Sequence, residues 1–209
     1  MKIPNRYIGI GIVLFHLIGA VGTLWPATRE MTLALTPFNL LLSSLLIFIC
    51  QEKIEMRWIL MVVILAIIGY LMEVAGVATG QIFGEYAYGP VLGFALWKVP
   101  LSMALNWLLL IYIFGQLVAP LKSPLVFKAM LAGLGMALLD VIIEPVAIEL
   151  NYWRWANTSV PFQNYLAWFV TGSIMQVFFL KVNGHSSNEF AFYLLAGQLL
   201  YFLSILLFL

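Results

Sequence analysis

Charge is scarce in this chain. Only 9% of its 209 residues are charged, while 64% are hydrophobic. A soluble domain carries about 25% charged residues, so most of this chain belongs in a bilayer. The net charge of +1 leaves no basic stripe for a nucleic-acid partner. Cysteine occurs once, at Cys50, so an internal disulfide is excluded. Histidine occurs twice, at His16 and His185, far apart. Membrane di-iron oxygenases need many clustered histidines, so that class is disfavoured. No G-x-G-x-x-G follows a strand, which argues against a Rossmann flavin or nicotinamide site. No D-D-x-x-D cluster is present, which argues against a magnesium-diphosphate transferase. The expectation is therefore no metal and no cofactor. Lys2 and Arg6 precede a long apolar run with no A-x-A site after it, so that run reads as a retained helix.

What is there is apolar length. A spanning helix needs about 20 apolar residues. Seven stretches qualify, at 7–27, 32–50, 57–79, 98–119, 125–149, 161–183 and 189–209. The expected fold is all-α: one polytopic membrane domain over 1–209, with seven transmembrane helices. Basic residues set the orientation. Lys2, Arg6, Lys53, Arg57, Lys122, Lys128 and Lys181 fall on the N-terminal side; Arg29, Lys98 and Arg154 fall on the other. That asymmetry predicts N-in and C-out, in the cell (inner) membrane. Oligomeric state leaves no signal in the sequence.

With that topology, the unusual polar residues of the third to sixth stretches fall in one half of the membrane, and the cytoplasmic halves look bland. Asp140 and Glu144 are four apart and share a helix face. Asp140 lies about two and a half turns inside its helix end. A carboxylate at that depth is costly and should face the bundle interior or a cavity. Low dielectric and mutual repulsion oppose double ionisation, which suits a proton donor. Pro145 follows directly and removes one backbone hydrogen bond. Glu149 marks the watery helix end. The competing reading is structural: Arg154 or Lys98 neutralises one acid in an ion pair.

Glu73 is a further acid within lipid depth, with structural and catalytic readings both open. Gly76, Gly80 and Gly84 recur every four residues after it. Helix packing through small residues is the expectation for Gly76, and loop geometry stands equally for the other two. The segment 80–97 is rich in glycine and aromatics, with Glu85 and no other acid, and is expected to fold over a cavity mouth. Tyr86, Tyr88, Trp97, Trp107, Tyr152, Trp153, Trp155 and Trp168 crowd the same side. They read either as an interfacial belt or as a wall whose ring faces stabilise a cation. Asn106 and Asn164 are amides near helix starts that bridge helices or orient water. His16 reads as a packing histidine, and His185 as a solvated turn residue.

Five motifs stand in order: E-x-x-G-x-x-T-G-x-x-F-G-x-Y-x-Y (Glu73 to Tyr88), V-P-x-x-x-x-x-N-W (Val99 to Trp107), D-x-x-x-E-P-x-A (Asp140 to Ala147), W-x-W (Trp153 to Trp155) and P-x-x-N-Y (Pro161 to Tyr165). Together they resemble the membrane carotenoid biosynthesis protein family, over about residues 69–170. Its best-known activity is carotenoid 1′,2′-hydratase, including the bisanhydrobacterioruberin hydratase type. The resemblance implies a lipid-soluble acyclic carotenoid as substrate and the bilayer as its solvent. The reaction it implies is protonation of the terminal double bond, followed by capture of a tertiary cation by water, with no redox cofactor or metal. Chemistry then nominates Asp140, Glu144 and Glu73 as acids. Tyr86, Tyr88, Asn106, Trp107, Trp153, Trp155, Asn164 and Trp168 are the residues to bind the substrate.

Two alternatives stand beside this one. A small membrane lycopene cyclase begins with the same protonation and traps the cation internally. A non-enzymatic proton-coupled transporter or receptor also carries intramembrane acids. A transporter places polar residues along both halves of its path, and a retinal-type receptor needs a lysine in its last helix. The stretch 189–209 has none.

Overall fold

The computed structural model describes residues 4–157 and 159–208. Lys2, used in the orientation argument, and Leu209, the end of the last predicted helix, lie outside them. The described residues form eight α-helices: α1 Asn5–Leu24, α2 Arg29–Ala34, α3 Thr36–Cys50, α4 Met56–Thr79, α5 Ser102–Val118, α6 Leu125–Glu149, α7 Phe162–Asn183 and α8 Phe190–Leu206. Four of them, α1, α4, α6 and α7, are long and apolar enough to cross a membrane; α3, α5 and α8 are shorter apolar helices. The fold is helical, as expected, and α6 matches its predicted range and runs through Pro145 unbroken.

Two expected helices are cut short. The stretch 32–50 divides at Leu35 into α2 and α3, with Pro37 in the first turn of α3. Proline has no N–H to give and is tolerated at a helix start. The stretch 98–119 becomes helical only at Ser102. Before it, β2 Ala95–Leu96 pairs antiparallel with β3 Val99–Pro100. Trp97 and Lys98 turn the chain with φ of 52° and 67°. Two positive φ values suit a tight hairpin, but the pair lacks the Asn-Gly signature that would announce one. Tyr70 of α4 fixes this hairpin, donating its hydroxyl to the Leu96 carbonyl at 2.7 Å and the Val99 carbonyl at 3.2 Å.

A second ribbon decides the geometry of the site. β1 Tyr86–Tyr88 pairs antiparallel with β4 Trp153–Trp155, with Tyr86 opposite Trp155 and Tyr88 opposite Trp153. Side chains alternate across a strand. Y-A-Y and W-R-W therefore send four aromatics to one face and Ala87 and Arg154 to the other, where both are exposed. Gln163, at the start of α7, holds the approach to this ribbon by donating to the Gln81 and Ile82 carbonyls.

Glycines set two of the close approaches. Gly80 ends α4 with φ 65° and donates its N–H to the Gly76 carbonyl at 2.8 Å, the left-handed cap glycine favours. Gly76 does not serve helix packing as expected. A side-chain carbon there would meet the Phe83 ring at 2.5 Å and the Tyr86 hydroxyl at 3.3 Å, so Gly76 makes room for the following loop to fold back. The small-residue contact between helices lies elsewhere, at Gly133. A side-chain carbon there would sit 2.8 Å from the Phe169 carbonyl oxygen of α7.

The half of the helices away from Asp140 and Glu144 is less bland than the sequence suggested. Lys128 is buried and donates Nζ to the Ala119 carbonyl at 3.1 Å, and buried Gln176 donates to the Ile111 carbonyl at 2.9 Å. Lys128 satisfies a carbonyl at the end of α5 that has no helical partner.

Candidate active site

Glu73 from α4 meets Asp140 and Glu144 from α6 under the aromatic face of the β1–β4 ribbon. All three are buried, at 3%, 3% and 2% exposure. Among the described residues, no Lys, Arg or His nitrogen lies within 4.0 Å of any of them. The ion-pair reading therefore fails. Lys98 stands exposed in the β2–β3 turn and Arg154 on the outer face of the ribbon. Arg29 instead approaches Glu149 at 3.9 Å near the surface. Neutral donors take the place of cations, as buried polar groups require.

The three acids are held unequally. Glu73 Oε2 accepts from the Tyr86 hydroxyl at 2.5 Å and the Tyr88 hydroxyl at 2.7 Å, and Oε1 accepts from Trp107 Nε1 at 2.8 Å. Glu144 Oε2 accepts from Trp153 Nε1 at 3.0 Å and Trp155 Nε1 at 2.9 Å. Its Oε1 accepts from Asn164 Nδ2 at 3.1 Å. The same Nδ2 donates to Asp140 Oδ2 at 2.7 Å. Asp140 has no other protein hydrogen bond among the described residues, so its Oδ1 is uncommitted.

Two cavities meet at this cluster. The larger, of about 350 Å³, runs between α1, α3, α5 and α8 and is mostly apolar; Asp140 is the charged residue on its wall. The smaller, of about 20 Å³, is bounded by Glu73, Asp140, Glu144 and Asn164 together with Tyr86, Tyr88, Trp153 and Trp155. A void needs about 10–15 Å³ to hold one water, and this one is ringed by the polar partners a water needs. Asp140, Met103, Trp153 and Trp168 border both cavities.

The remaining predicted site residues divide between the two. Trp107 stacks on Trp168 with ring centroids 4.1 Å apart and 7° between planes, and together they floor the carboxylate cluster. Asn164 bridges Asp140 and Glu144. Asn106 stays apart from the acids' hydrogen bonds. It faces the larger cavity with no protein partner among the described residues.

Sequence reasoning missed the far wall of the larger cavity. His16 and Gln198 line it, both buried. His16 Nδ1 lies 2.8 Å from the Ile12 carbonyl. That contact requires Nδ1 to carry the hydrogen, and it leaves the other ring nitrogen of a neutral imidazole as an acceptor. The Gln198 amide oxygen has no partner among the described residues. A histidine and a glutamine inside apolar stretches were the available signal. Thr36 and Tyr201 join Tyr152 on the lining in a chain of hydroxyls that continues to Thr23, each 3.2–3.4 Å from the next. Only the fold brings these together.

A helical membrane protein with a cation-free carboxylate cluster beside an apolar cavity is the class that this fold and site define. The chain belongs to the carotenoid biosynthesis protein family, whose sequence model matches residues 34–209. It is also similar to bisanhydrobacterioruberin hydratase of Haloarcula japonica, with 28% identity over 182 residues. That alignment covers 80% of this chain and 62% of the relative's length. No solved structure matches the chain.

Proposed function

We propose that this protein is a carotenoid hydratase, adding water across the terminal double bond of an acyclic carotenoid end group. The observation that carries this is the position of Asp140 between an apolar cavity and a water-sized void. The end group occupies the larger cavity. Asp140 gives its proton to the less substituted alkene carbon, forming a C–H bond and leaving the charge on the tertiary carbon. Trp153 and Trp168 border both spaces and offer ring faces to that cation. A water in the smaller void attacks it, forming the C–O bond. The water's surplus proton passes to Glu144, the nearest carboxylate on the same helix face. Return of that proton to Asp140, beneath the shared Asn164, restores the starting state. Glu73 holds Tyr86 and Tyr88 over the void.

Family membership and the hydratase relative support this reading, as does the burial of all three acids without counter-cations. The 1′,2′ position of attack belongs to the same proposal. So do independence from cofactors, the seven-span N-in/C-out topology and location in the cell membrane. The test is expression in a host that makes an acyclic carotenoid, followed by pigment mass. A hydratase adds the mass of one water per reacted end. A product of unchanged mass with a ring identifies a cyclase, and unchanged pigment beside normal protein level refutes both.

A further inference from the structure

We propose that the crevice between α1 and α2 is a lateral portal through which the polyene tail of the substrate leaves the cavity, so that the protein takes its substrate end-on, one end at a time. The identity of this occupant rests on the hydratase reading above.

Volume comes first. Ligand cavities run from about 300 to 1,000 Å³, and this one is about 350 Å³. It takes one end group and the start of the polyene. The rest of a long carotenoid has to pass out through the wall.

Exposure shows where. Of the residues that line the cavity, the exposed ones are Phe15, Ile18, Met31 and Leu35, at 41%, 70%, 64% and 49%. All four are apolar. Two sit on α1 and two on α2 or its C-terminal cap, while every other lining residue is buried or half-buried. The opening is therefore on a single side. It is flanked by α1, which is long and apolar enough to cross a membrane, so it faces lipid rather than water. An apolar tail leaving there keeps its apolar surroundings. Asp140 is buried and lines the same cavity where it meets the smaller void, so a chain threaded inward presents its terminus to the acid.

Two glycines of α1 shape the passage. At Gly22 a side-chain carbon would lie 2.6 Å from Thr32 Oγ1, so α2 rests on α1 there and closes that end of the crevice. At Gly19 a side-chain carbon would meet only the Tyr201 ring, at 3.8 Å. Gly19 therefore leaves open width beside the mouth.

The experiment uses the full chain in detergent with an acyclic carotenoid, reading polyene binding by its absorption shift as well as turnover. Gly19→Leu fills the mouth and should lower both about tenfold or more. Ile174→Trp, on the exposed face of α7, should bind and turn over like the wild type. If Gly19→Leu does not fold, Ile18→Cys treated with a bulky thiol reagent decides instead: labelling should block binding, and bound polyene should slow labelling. Normal binding by a folded Gly19→Leu, or by fully labelled Ile18→Cys, overturns the portal. A wild type that binds polyene through this mouth without hydrating it sinks the hydratase reading and leaves the portal standing. With a symmetric substrate, singly hydrated product should appear free before the doubly hydrated one. Its absence throughout the time course overturns one-ended action.

Discussion

Asp140→Asn separates proton donation from shape. Asn164 Nδ2 donates to Asp140 Oδ2 at 2.7 Å, and an asparagine at 140 keeps a carbonyl oxygen there to accept it. The amide nitrogen then takes the place of Oδ1, which has no protein partner to lose among the described residues. The side chain stays within its volume at 3% exposure, and no cation is left unpaired. The variant should therefore fold and insert at wild-type level. What it loses is the transferable proton. General acid catalysis contributes about 100- to 10,000-fold, which is about 3–5 kcal/mol of barrier at 1.36 kcal/mol per decade. Product formation should fall by that factor while polyene binding, read by the absorption shift, stays near normal. The assay compares initial rates in detergent at equal protein. Near-normal turnover by Asp140→Asn would remove Asp140 as the proton donor. A loss of protein level would instead assign it a structural role.

Three further outcomes are expected. Glu149→Gln, at the surface with Arg29 at 3.9 Å, should leave turnover and thermal stability near wild type, since exposed pairs contribute about 0–1 kcal/mol; a large loss would extend the site to the helix end. Turnover of purified protein should persist with excess chelator, and its abolition would put a metal among the carboxylates. A reporter fused after Leu209 should read external, and a cytoplasmic reading would reverse the topology without touching the carboxylate cluster.

The helices were legible because apolar length is a strong signal, and Asp140 to Glu149 stood out because charge in such a stretch is rare. The ribbon was not legible. Three-residue strands carry no periodicity longer than Y-A-Y or W-R-W, and their partners lie more than sixty residues apart. The same aromatics also fit an interfacial belt, and only pairing reveals that Trp153 and Trp155 spend their indole N–H groups on Glu144. The ion-pair alternative failed for a related reason. Arg154 sits between two tryptophans, and strand alternation sends it outward when they turn in. The second wall escaped because α1, α3 and α8 carry few polar residues in no recurring order. His16 and Gln198 come from opposite ends of the chain, and their meeting is a property of the α1–α8 packing.

Glu73 and Glu144 look equivalent in the sequence, yet their amide variants should behave differently, because their donors differ. Each carboxylate accepts three hydrogen bonds. At Glu73, two of the donors are phenol hydroxyls, and a hydroxyl accepts as well as donates. In Glu73→Gln the new NH₂ can point at Tyr86 and Tyr88, which rotate to accept it, while the amide oxygen keeps Trp107. At Glu144 no such turn exists. Indole N–H groups only donate, and so does the Asn164 NH₂ that faces Oε1. Either orientation of Glu144→Gln sets a donor against a donor. Flipping Asn164 to relieve one clash withdraws its NH₂ from Asp140. One buried group is therefore left unsatisfied, which costs about 1–3 kcal/mol, and the ribbon loses an anchor. Glu144→Gln should lower thermal stability by that amount and loosen the strand pair at Trp153 and Trp155, with faster amide exchange there; Glu73→Gln should do much less of either. Equal stability losses in the two variants would show that Trp153, Trp155 and Asn164 do not hold Glu144 as three donors, and would take away the positioning on which the water-sized void depends.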